Sequence, residues 1–233
     1  MGASGRHIDR EKCMSEIGTL DGPRFGPASG GPAKQLVIML HGVGADGADL
    51  IGLAPHFAQV LPDAAFVAPN APYPYDSAPM GYQWFSVLDR TESVAIEGVQ
   101  TAAPILHRFI DDELAKLDLK EDSLALIGFS QGTVMSLYVA PRRELPVAGI
   151  LGYSGRLVGP ERMKDEIRVR PPVLLIHGVA DPVLPFEAMA SAEQGLRACG
   201  IPVETMARPG LGHGIDEEGA LRGLEFLKTC FGE

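Results

Sequence analysis

From residue 35 onward, short apolar runs alternate with longer stretches in which apolar residues recur every three or four positions. The short runs are apolar at consecutive positions, as expected for strands buried on both faces of a parallel sheet. The longer stretches have the spacing of amphipathic helices. The alternation predicts a mostly parallel central sheet with helices on both faces. The predicted strands are 36–40, 65–68, 124–127, 147–151, 173–176 and 203–207.

The longest predicted helix covers residues 92–117, where Val99, Leu106 and Phe109 fall on one helical face. A kink or break is expected at Pro104, because proline has no backbone N–H to donate. A glycine- and proline-rich segment at 22–32 precedes the first predicted strand and leaves room for one short edge strand. The predicted helices are 47–60, 92–117, 131–140, 186–199 and 217–230.

The amino-terminal residues differ from the rest of the chain. Residues 1–16 are rich in glycine and charge and contain no apolar run, so they are expected to be disordered rather than a secretory signal. Residues 17–233 are long enough for a well-buried core and are expected to form a single α/β domain. No later segment has the length and apolar character of a bilayer-spanning helix, so stable membrane insertion is not expected.

The charge and cysteine content of the chain limit which kinds of binding partner and cofactor are expected. The chain has 30 acidic and 20 basic residues and a net charge of −10, so its surface should repel nucleic acid and anionic membranes. Cys13, Cys199 and Cys230 are widely spaced and match no disulfide or metal pattern, which favours a cytoplasmic location. The histidines lack the spacing of metal ligands, so neither a metal nor another cofactor is expected.

One serine is the strongest chemical signal in the chain. Ser130 lies in Gly-Phe-Ser-Gln-Gly, between the predicted strand at 124–127 and the predicted helix at 131–140. A G-x-S-x-G turn between strand and helix is a nucleophile elbow, which exposes the serine Oγ above the sheet. The pentapeptide alone is weak evidence, since serine is also a common helix N-cap. Its partners decide the interpretation.

A carboxylate and a histidine follow Ser130 along the chain, in the order nucleophile, acid, base that α/β-hydrolases use. Asp181 comes after the predicted strand at 173–176, and His213 lies in a glycine-rich loop after the last predicted strand. Taken singly, Asp181 before a proline is a common turn residue, and His213 could be a mobile surface histidine. These interpretations explain neither the order of the three residues along the chain nor their shared position after the carboxyl ends of strands. The sequence therefore predicts a catalytic triad of Ser130, Asp181 and His213.

Acyl transfer also needs backbone N–H donors for the oxygen that becomes negative. One donor is expected to be the N–H of Gln131, directly after the nucleophile. The second is expected from the loop at 41–47, in which three glycines let amides turn inward. His41 is expected to order this loop, and His177 is expected to be a buried imidazole with satisfied hydrogen bonds.

Several motifs together resemble the phospholipase/carboxylesterase family, which includes the acyl-protein thioesterases. They are the loop at 41–47, Gln-Trp-Phe at 83–85, the elbow at 128–132, Ala-Asp-Pro-Val-Leu-Pro at 180–185 and Gly-His-Gly at 212–214. The resemblance covers residues 17–231 and implies a minimal α/β-hydrolase fold. It also points to Val43 and Gln131 as the oxyanion donors, with Val43 where the family commonly has leucine.

The segment at 154–171 is too short for a cap domain, so the site should be open, with room for one helical turn there. The segment at 70–90 is the expected wall of the substrate pocket. It supplies Met80, Trp84 and Phe85 as substrate-binding candidates, although Trp84 and Phe85 would equally suit packing against the core.

The predicted function is a serine hydrolase that cleaves carboxylic esters of small to medium size through an acyl-enzyme, a carboxylesterase. Its activity should rise through about pH 6.5, where an unperturbed histidine loses its proton. Lysophospholipase and acyl-protein thioesterase are the alternatives within this chemistry. A catalytically inactive binding protein of the same fold is the alternative from another class. The expected partner is a small-molecule ester or thioester, and a homodimer is left open.

Overall fold

The computed structural model describes residues 19–232, so the predicted disorder of residues 1–16 lies outside the described residues. Within them, seven strands form one sheet in the order β1-β3-β2-β6-β7-β8-β9, and all neighbours are parallel except β1 and β3. Strands β4 and β5 form a separate antiparallel hairpin. The strands are β1 Arg24–Phe25, β2 Gln35–Leu40, β3 Ala64–Val67, β4 Tyr73–Pro74, β5 Tyr82–Gln83, β6 Leu124–Phe129, β7 Gly149–Tyr153, β8 Val173–Gly178 and β9 Val203–Arg208.

The sheet is covered on both faces, as the apolar runs predict. Successive residues of a strand point to opposite faces, and β2 shows the consequence clearly. Leu36 and Ile38 join one apolar cluster, whereas Val37 and Met39 join the other. The predicted mostly parallel sheet is confirmed, and β1 is the short edge strand expected in the segment at 22–32.

The observed helices differ from the predicted ones at two places, Pro104 and residues 47–60. Helix α3 has the predicted bounds, and it runs unbroken through Pro104, so the expected break does not occur. Pro104 lies on the exposed side of α3, where packing of the opposite face against the core holds the helix together despite the missing N–H. The helices are α1 Gly47–Ile51, α2 Ala54–Phe57, α3 Glu92–Leu117, α4 Gln131–Val139, α5 Pro160–Glu166, α6 Glu187–Ala198 and α7 Glu217–Cys230.

The predicted helix at 47–60 is instead two short helices, α1 and α2. Asp46 caps α1, since its side chain accepts a hydrogen bond from the Ala48 N–H at 2.9 Å. Gly52 ends that helix, and Pro55 stands in the first turn of the next. Proline is tolerated in a first turn but cannot donate to the preceding turn, so the apolar spacing continues while the helix restarts.

The parallel strands bring four functional segments to one edge of the sheet. Their carboxyl ends lead into the loop at 41–47, Ser130, the loop around Asp181 and the loop around His213. The segment at 154–171 contains the seven-residue helix α5 and no cap domain, in agreement with the expected open site. No helix between residues 19 and 232 is long and apolar enough to cross a membrane.

Candidate active site

Ser130 adopts a backbone conformation that few non-glycine residues adopt. Its φ is 52° and its ψ is −113°, and it stands between β6 and the first residue of α4. Backbone strain of this kind costs about 1–3 kcal/mol and concentrates at functional sites. The Ser130 N–H donates to the Tyr153 carbonyl at 2.9 Å, which ties the turn to the neighbouring strand.

Two glycines make this turn sterically possible. A Cβ on Gly132 would lie 1.8 Å from the Leu40 carbonyl oxygen, and a Cβ on Gly128 would lie 2.4 Å from the Thr133 nitrogen. Both distances are too short for any side chain. The glycines on either side of the serine therefore allow strand and helix to approach as closely as the elbow requires.

His213 and Asp181 are paired. The His213 Nδ1 lies 2.7 Å from the Asp181 Oδ2, a charge-assisted distance. The Asp181 side chain is fully buried, and that of His213 is 16% exposed. Because Nδ1 faces an acceptor, it carries the proton in the neutral ring, and Nε2 is left free to act as a base.

Asp181 is held as a carboxylate by its surroundings. Its Oδ1 accepts hydrogen bonds from the backbone N–H groups of Val183 at 2.8 Å and Leu184 at 2.9 Å. Burial raises the pKa of Asp181, but hydrogen bonds from the Leu184 N–H, His213 and the Val183 N–H outweigh it and hold the pKa below its usual value. The residue is thus ionised wherever His213 needs a negative partner.

His177 also reaches this carboxylate. Its Nε2 lies 3.2 Å from the Asp181 Oδ2 and 3.0 Å from the Leu184 carbonyl oxygen, which can only accept. The ring is buried, as expected, and its Nε2–H faces both acceptors. Sequence reasoning missed the contact with Asp181, although the four-residue spacing across the strand end could have indicated it.

His213 packs beside the elbow. Its ring centroid lies 5.0 Å from that of Phe129, the residue before Ser130. No hydrogen bond joins Ser130 Oγ to His213 among the interactions of residues 19–232. In unliganded active sites such bonds are often long and tighten only with substrate. The structure brings all three predicted residues to one edge of the sheet and pairs two of them.

The residues of the predicted oxyanion donors border one cavity together with Ser130. Val43, Ser130 and Gln131 all line a cavity of about 340 Å³. The Gln131 N–H is in the first turn of α4, where backbone N–H groups have no partner within the helix and the helix dipole favours negative charge. Both features suit an oxygen that becomes negative during reaction.

The loop that carries Val43 is tightly bonded. The Gly44 N–H donates to the Tyr82 carbonyl, and the Tyr82 N–H donates to the Ala45 carbonyl, each at 2.8 Å. His41 accepts the Ala71 N–H at Nε2 (2.9 Å), and its Nδ1 lies 2.7 Å from the Gly42 carbonyl oxygen. Burial lowers the pKa of His41, so the neutral ring orders this loop, as the sequence indicates.

Trp84 is buried and lines neither of the two cavities at this site, although the sequence places it among the candidates for the pocket wall. The side chain is 0% exposed and its indole N–H donates to the His41 carbonyl at 3.0 Å. It packs the wall segment onto the core, which is the alternative that the sequence left open. An amphipathic ring suits either place, and sequence alone does not say where its N–H finds a partner.

Of the other two candidates for the pocket wall, Phe85 lines the cavity beside Ser130 and Met80 does not. Met80 is 79% exposed and lies outside the residues that line either cavity described here. Phe85 and Ser86 also border a second cavity of about 550 Å³, so both residues are shared by the two cavities. Among residues 19–232, no group of three His, Cys, Asp or Glu side chains is placed to hold a metal ion.

The chain is similar to known proteins over most of its length. Residues 27–231 match the family model described as Phospholipase/Carboxylesterase. Esterase YpfH of Escherichia coli (strain K12) is 29% identical over 198 residues, which are 84% of this chain and 83% of that protein. Acyl-protein thioesterase 1 of Saccharomyces cerevisiae is 31% identical over 176 residues, 70% of this chain and 77% of that protein.

A solved structure extends the likeness to three dimensions. The crystal structure of esterase PE8 superposes with a TM-score of 0.88 and 40% identity, covering 91% of this chain and 100% of that one. The elbow, the strand order and the absence of a cap in the segment at 154–171 fit the same fold. A family match across residues 27–231 and a close structural likeness thus lead to one conclusion: this chain is a hydrolase that belongs to the phospholipase/carboxylesterase family of α/β-hydrolases.

Proposed function

We propose that this protein is a carboxylesterase in which Ser130 is the nucleophile, His213 the general base and Asp181 its orienting carboxylate. The observation that carries the proposal is the positive φ of Ser130 at a strand–helix junction whose sheet edge also holds the paired His213 and Asp181. An ordinary N-cap serine has extended backbone and needs no such pair. The backbone N–H groups of Val43 and Gln131 are the proposed oxyanion donors.

The first half of the reaction acylates the serine. His213 Nε2 takes the proton of Ser130 Oγ as the oxygen attacks the ester carbonyl, and Asp181 stabilises the imidazolium that forms. The two N–H donors stabilise the negative oxygen of the tetrahedral intermediate, and loss of one such donor typically costs about 2.7–4 kcal/mol of barrier. Collapse breaks the bond to the alcohol, which leaves with the proton from His213.

The second half releases the acid. His213 removes a proton from water, which attacks the acyl carbonyl through the same oxyanion arrangement. Breakdown of this intermediate returns the proton to Ser130 and frees the carboxylic acid. No cofactor enters either half, because the serine, histidine and backbone amides supply the nucleophile, the proton transfers and the charge stabilisation.

The cavity supports esters of small to medium size. Its volume of about 340 Å³ is near the lower end of the range for small-molecule sites, roughly 300–1,000 Å³. Val43, Val134 and Leu184 give it apolar walls, and Phe85 closes it on one side. Thioester hydrolysis is the second candidate, and the relatives named acyl-protein thioesterase favour it.

The test compares the wild type with Ser130→Ala on p-nitrophenyl acetate, butyrate, octanoate and palmitate, and on a matched thioester series. The variant should lose about 10⁴-fold or more of kcat/KM and all labelling by a fluorophosphonate probe. Ser191→Ala is the control, since Ser191 lies on the exposed face of α6. A wild type without activity or labelling would overturn the proposal and favour a binding protein. Strong preference for palmitoyl thioesters would replace carboxylesterase by thioesterase.

A further inference from the structure

The Gln131 side chain makes its hydrogen bonds outside its own helix. It is only 5% exposed, and its Oε1 accepts the backbone N–H of Trp84 at 2.8 Å. Its Nε2 donates to the carbonyl oxygen of Phe85 at 2.7 Å. One donor and one acceptor fix the orientation of the amide without ambiguity. The first residue of α4 is thereby bonded to a segment some 46 residues away in sequence.

That segment is bonded in turn to the loop that carries Val43. The Trp84 indole donates to the His41 carbonyl, two residues before Val43. The Tyr82 backbone, two residues before Trp84, exchanges hydrogen bonds with Gly44 and Ala45 on the far side of Val43. Val43 is therefore held from both sides by residues 82–84, which Gln131 ties to α4.

The proposed oxyanion donors lie on two elements that are not neighbours in sequence. Such donors act because they are already aimed at the place where charge develops, and small displacements cost large factors in rate. The distance between the Val43 and Gln131 N–H groups therefore depends on whatever joins their elements. The hydrogen bonds through Trp84 supply a direct connection.

We propose that the Gln131 side-chain amide is a positioning residue that sets the spacing of the oxyanion donors through Trp84 and the loop at 41–45. The inference rests on the proposed function. If the Gln131 side chain only filled space, replacing it by methionine would leave activity unchanged. Methionine has a similar size, and burying a thioether costs less than burying an amide. Gln131→Met keeps the backbone N–H and removes only the two side-chain bonds.

Gln131→Met should lower kcat on p-nitrophenyl acetate about 10- to 100-fold while KM changes less than about twofold. Acetate is the substrate of choice because its acyl group needs little of the wall at Phe85. The inhibition constant of a boronic acid, which mimics the tetrahedral intermediate, should rise by about the same factor as kcat/KM falls. A space-filling role would move neither quantity.

Trp84→Phe tests the second link, because it keeps a buried ring and removes the indole N–H. Its kcat should fall in the same range as that of Gln131→Met. The double variant should lose little more than the worse single variant, because both bonds belong to one connection. Fully multiplicative losses would mean that the two residues act separately and would overturn the connection.

Gln131→Glu offers rescue by protonation. A protonated carboxyl reproduces the donor to Phe85 and the acceptor for Trp84, whereas a carboxylate faces the Phe85 carbonyl oxygen with negative charge. The activity of this variant relative to wild type should therefore fall as pH rises, and the ratio for Gln131→Met should stay constant. A constant ratio for Gln131→Glu counts against the proposal.

Gln35→Met is the matched control. Gln35 is also buried, at 8% exposure, but it begins β2 at the opposite edge of the sheet. It should leave kcat and boronate inhibition within about twofold of wild type. If the wild type hydrolyses esters through Ser130 and Gln131→Met loses only thermal stability, this inference fails while the proposed function stands. If the wild type is inactive, the proposed function itself fails.

Discussion

Two loops at the same edge of the sheet are built in opposite ways. The loop at 41–45 is bonded to residues 71, 82 and 84, and His41 within it is fully buried. The loop at 209–214 carries His213 between glycines, and a Cβ added at Gly210 or Gly214 would meet nothing within 4 Å. The His213 side chain is held by a hydrogen bond to Asp181 and lies against the Phe129 ring.

The difference follows from what each loop has to do in the proposed reaction. Oxyanion donors gain their effect by being fixed before the charge appears, so a rigid network suits them. A general base takes a proton from Ser130 and delivers it to a leaving group at another position, so limited freedom suits His213. Fixed backbone donors and a more loosely held imidazole are thus complementary parts of one site.

The largest effect should come from the loosely held loop. His213→Ala should lower kcat/KM by about 10⁴- to 10⁶-fold, because the base is lost. The melting temperature should fall as well, because the buried Asp181 carboxylate loses its hydrogen bond to His213. Steady-state kinetics and calorimetry on the same preparation measure both, and exposed His56 gives the control His56→Ala. Activity within about tenfold of wild type would remove His213 from the mechanism.

The rigid loop should respond differently. His41→Leu leaves the Ala71 N–H and the Gly42 carbonyl without their buried partner. Each unsatisfied group costs about 1–3 kcal/mol, so the free energy of unfolding should fall by about 2–6 kcal/mol. The turnover number should fall by about 10- to 100-fold as the loop loosens. Urea unfolding and kinetics test this, with His56→Leu as control, and unchanged stability would contradict the contrast between the loops.

Phe85 tests whether the wall shared by the two cavities limits substrate size. Phe85→Ala removes a ring that borders both cavities, of about 340 and 550 Å³, and should raise the octanoate-to-acetate ratio of kcat/KM about tenfold. The bond from Gln131 to the Phe85 carbonyl involves backbone and survives the substitution. Kinetics over the ester series measure the ratio. An unchanged ratio would show that long chains leave the site elsewhere.

The smallest effect concerns acid stability away from the site. Burial and, next, the Arg143 guanidinium lower the pKa of His107 to about 4, while nearby Asp111 raises it. The unfolded chain, with a histidine pKa of about 6.5, then binds the extra proton between those values. The free energy of unfolding should therefore fall as pH drops from about 6.5 to about 4.

His107→Asn should make this decline shallower and leave activity at about pH 8 unchanged. Denaturant unfolding across the pH range measures the slope. Comparing His107→Asn with the wild type distinguishes loss of stability at low pH from loss of catalytic activity at low pH. Parallel curves for variant and wild type would show that His107 contributes nothing to the slope.

Local pattern was sufficient wherever neighbours in sequence decide the structure. The bounds of α3 follow from its spacing, and the elbow at Ser130 follows from glycines two residues away on either side. Local pattern failed at Pro55, where the apolar spacing continues although one helix ends and another begins. It also failed where the partner of a side chain is remote, since no local signal reveals that the Trp84 indole donates to the His41 carbonyl, 43 residues away in sequence.

By itself, the sequence determined the layered α/β architecture and the order of Ser130, Asp181 and His213 along the strand ends. These depend on alternation of apolar residues and on turn chemistry, which act over a few residues. Only the tertiary structure decided that Trp84 is core, that Met80 is surface and that the Gln131 amide joins two loops. A buried polar group must find its partner in space, and that partner can lie anywhere along the chain.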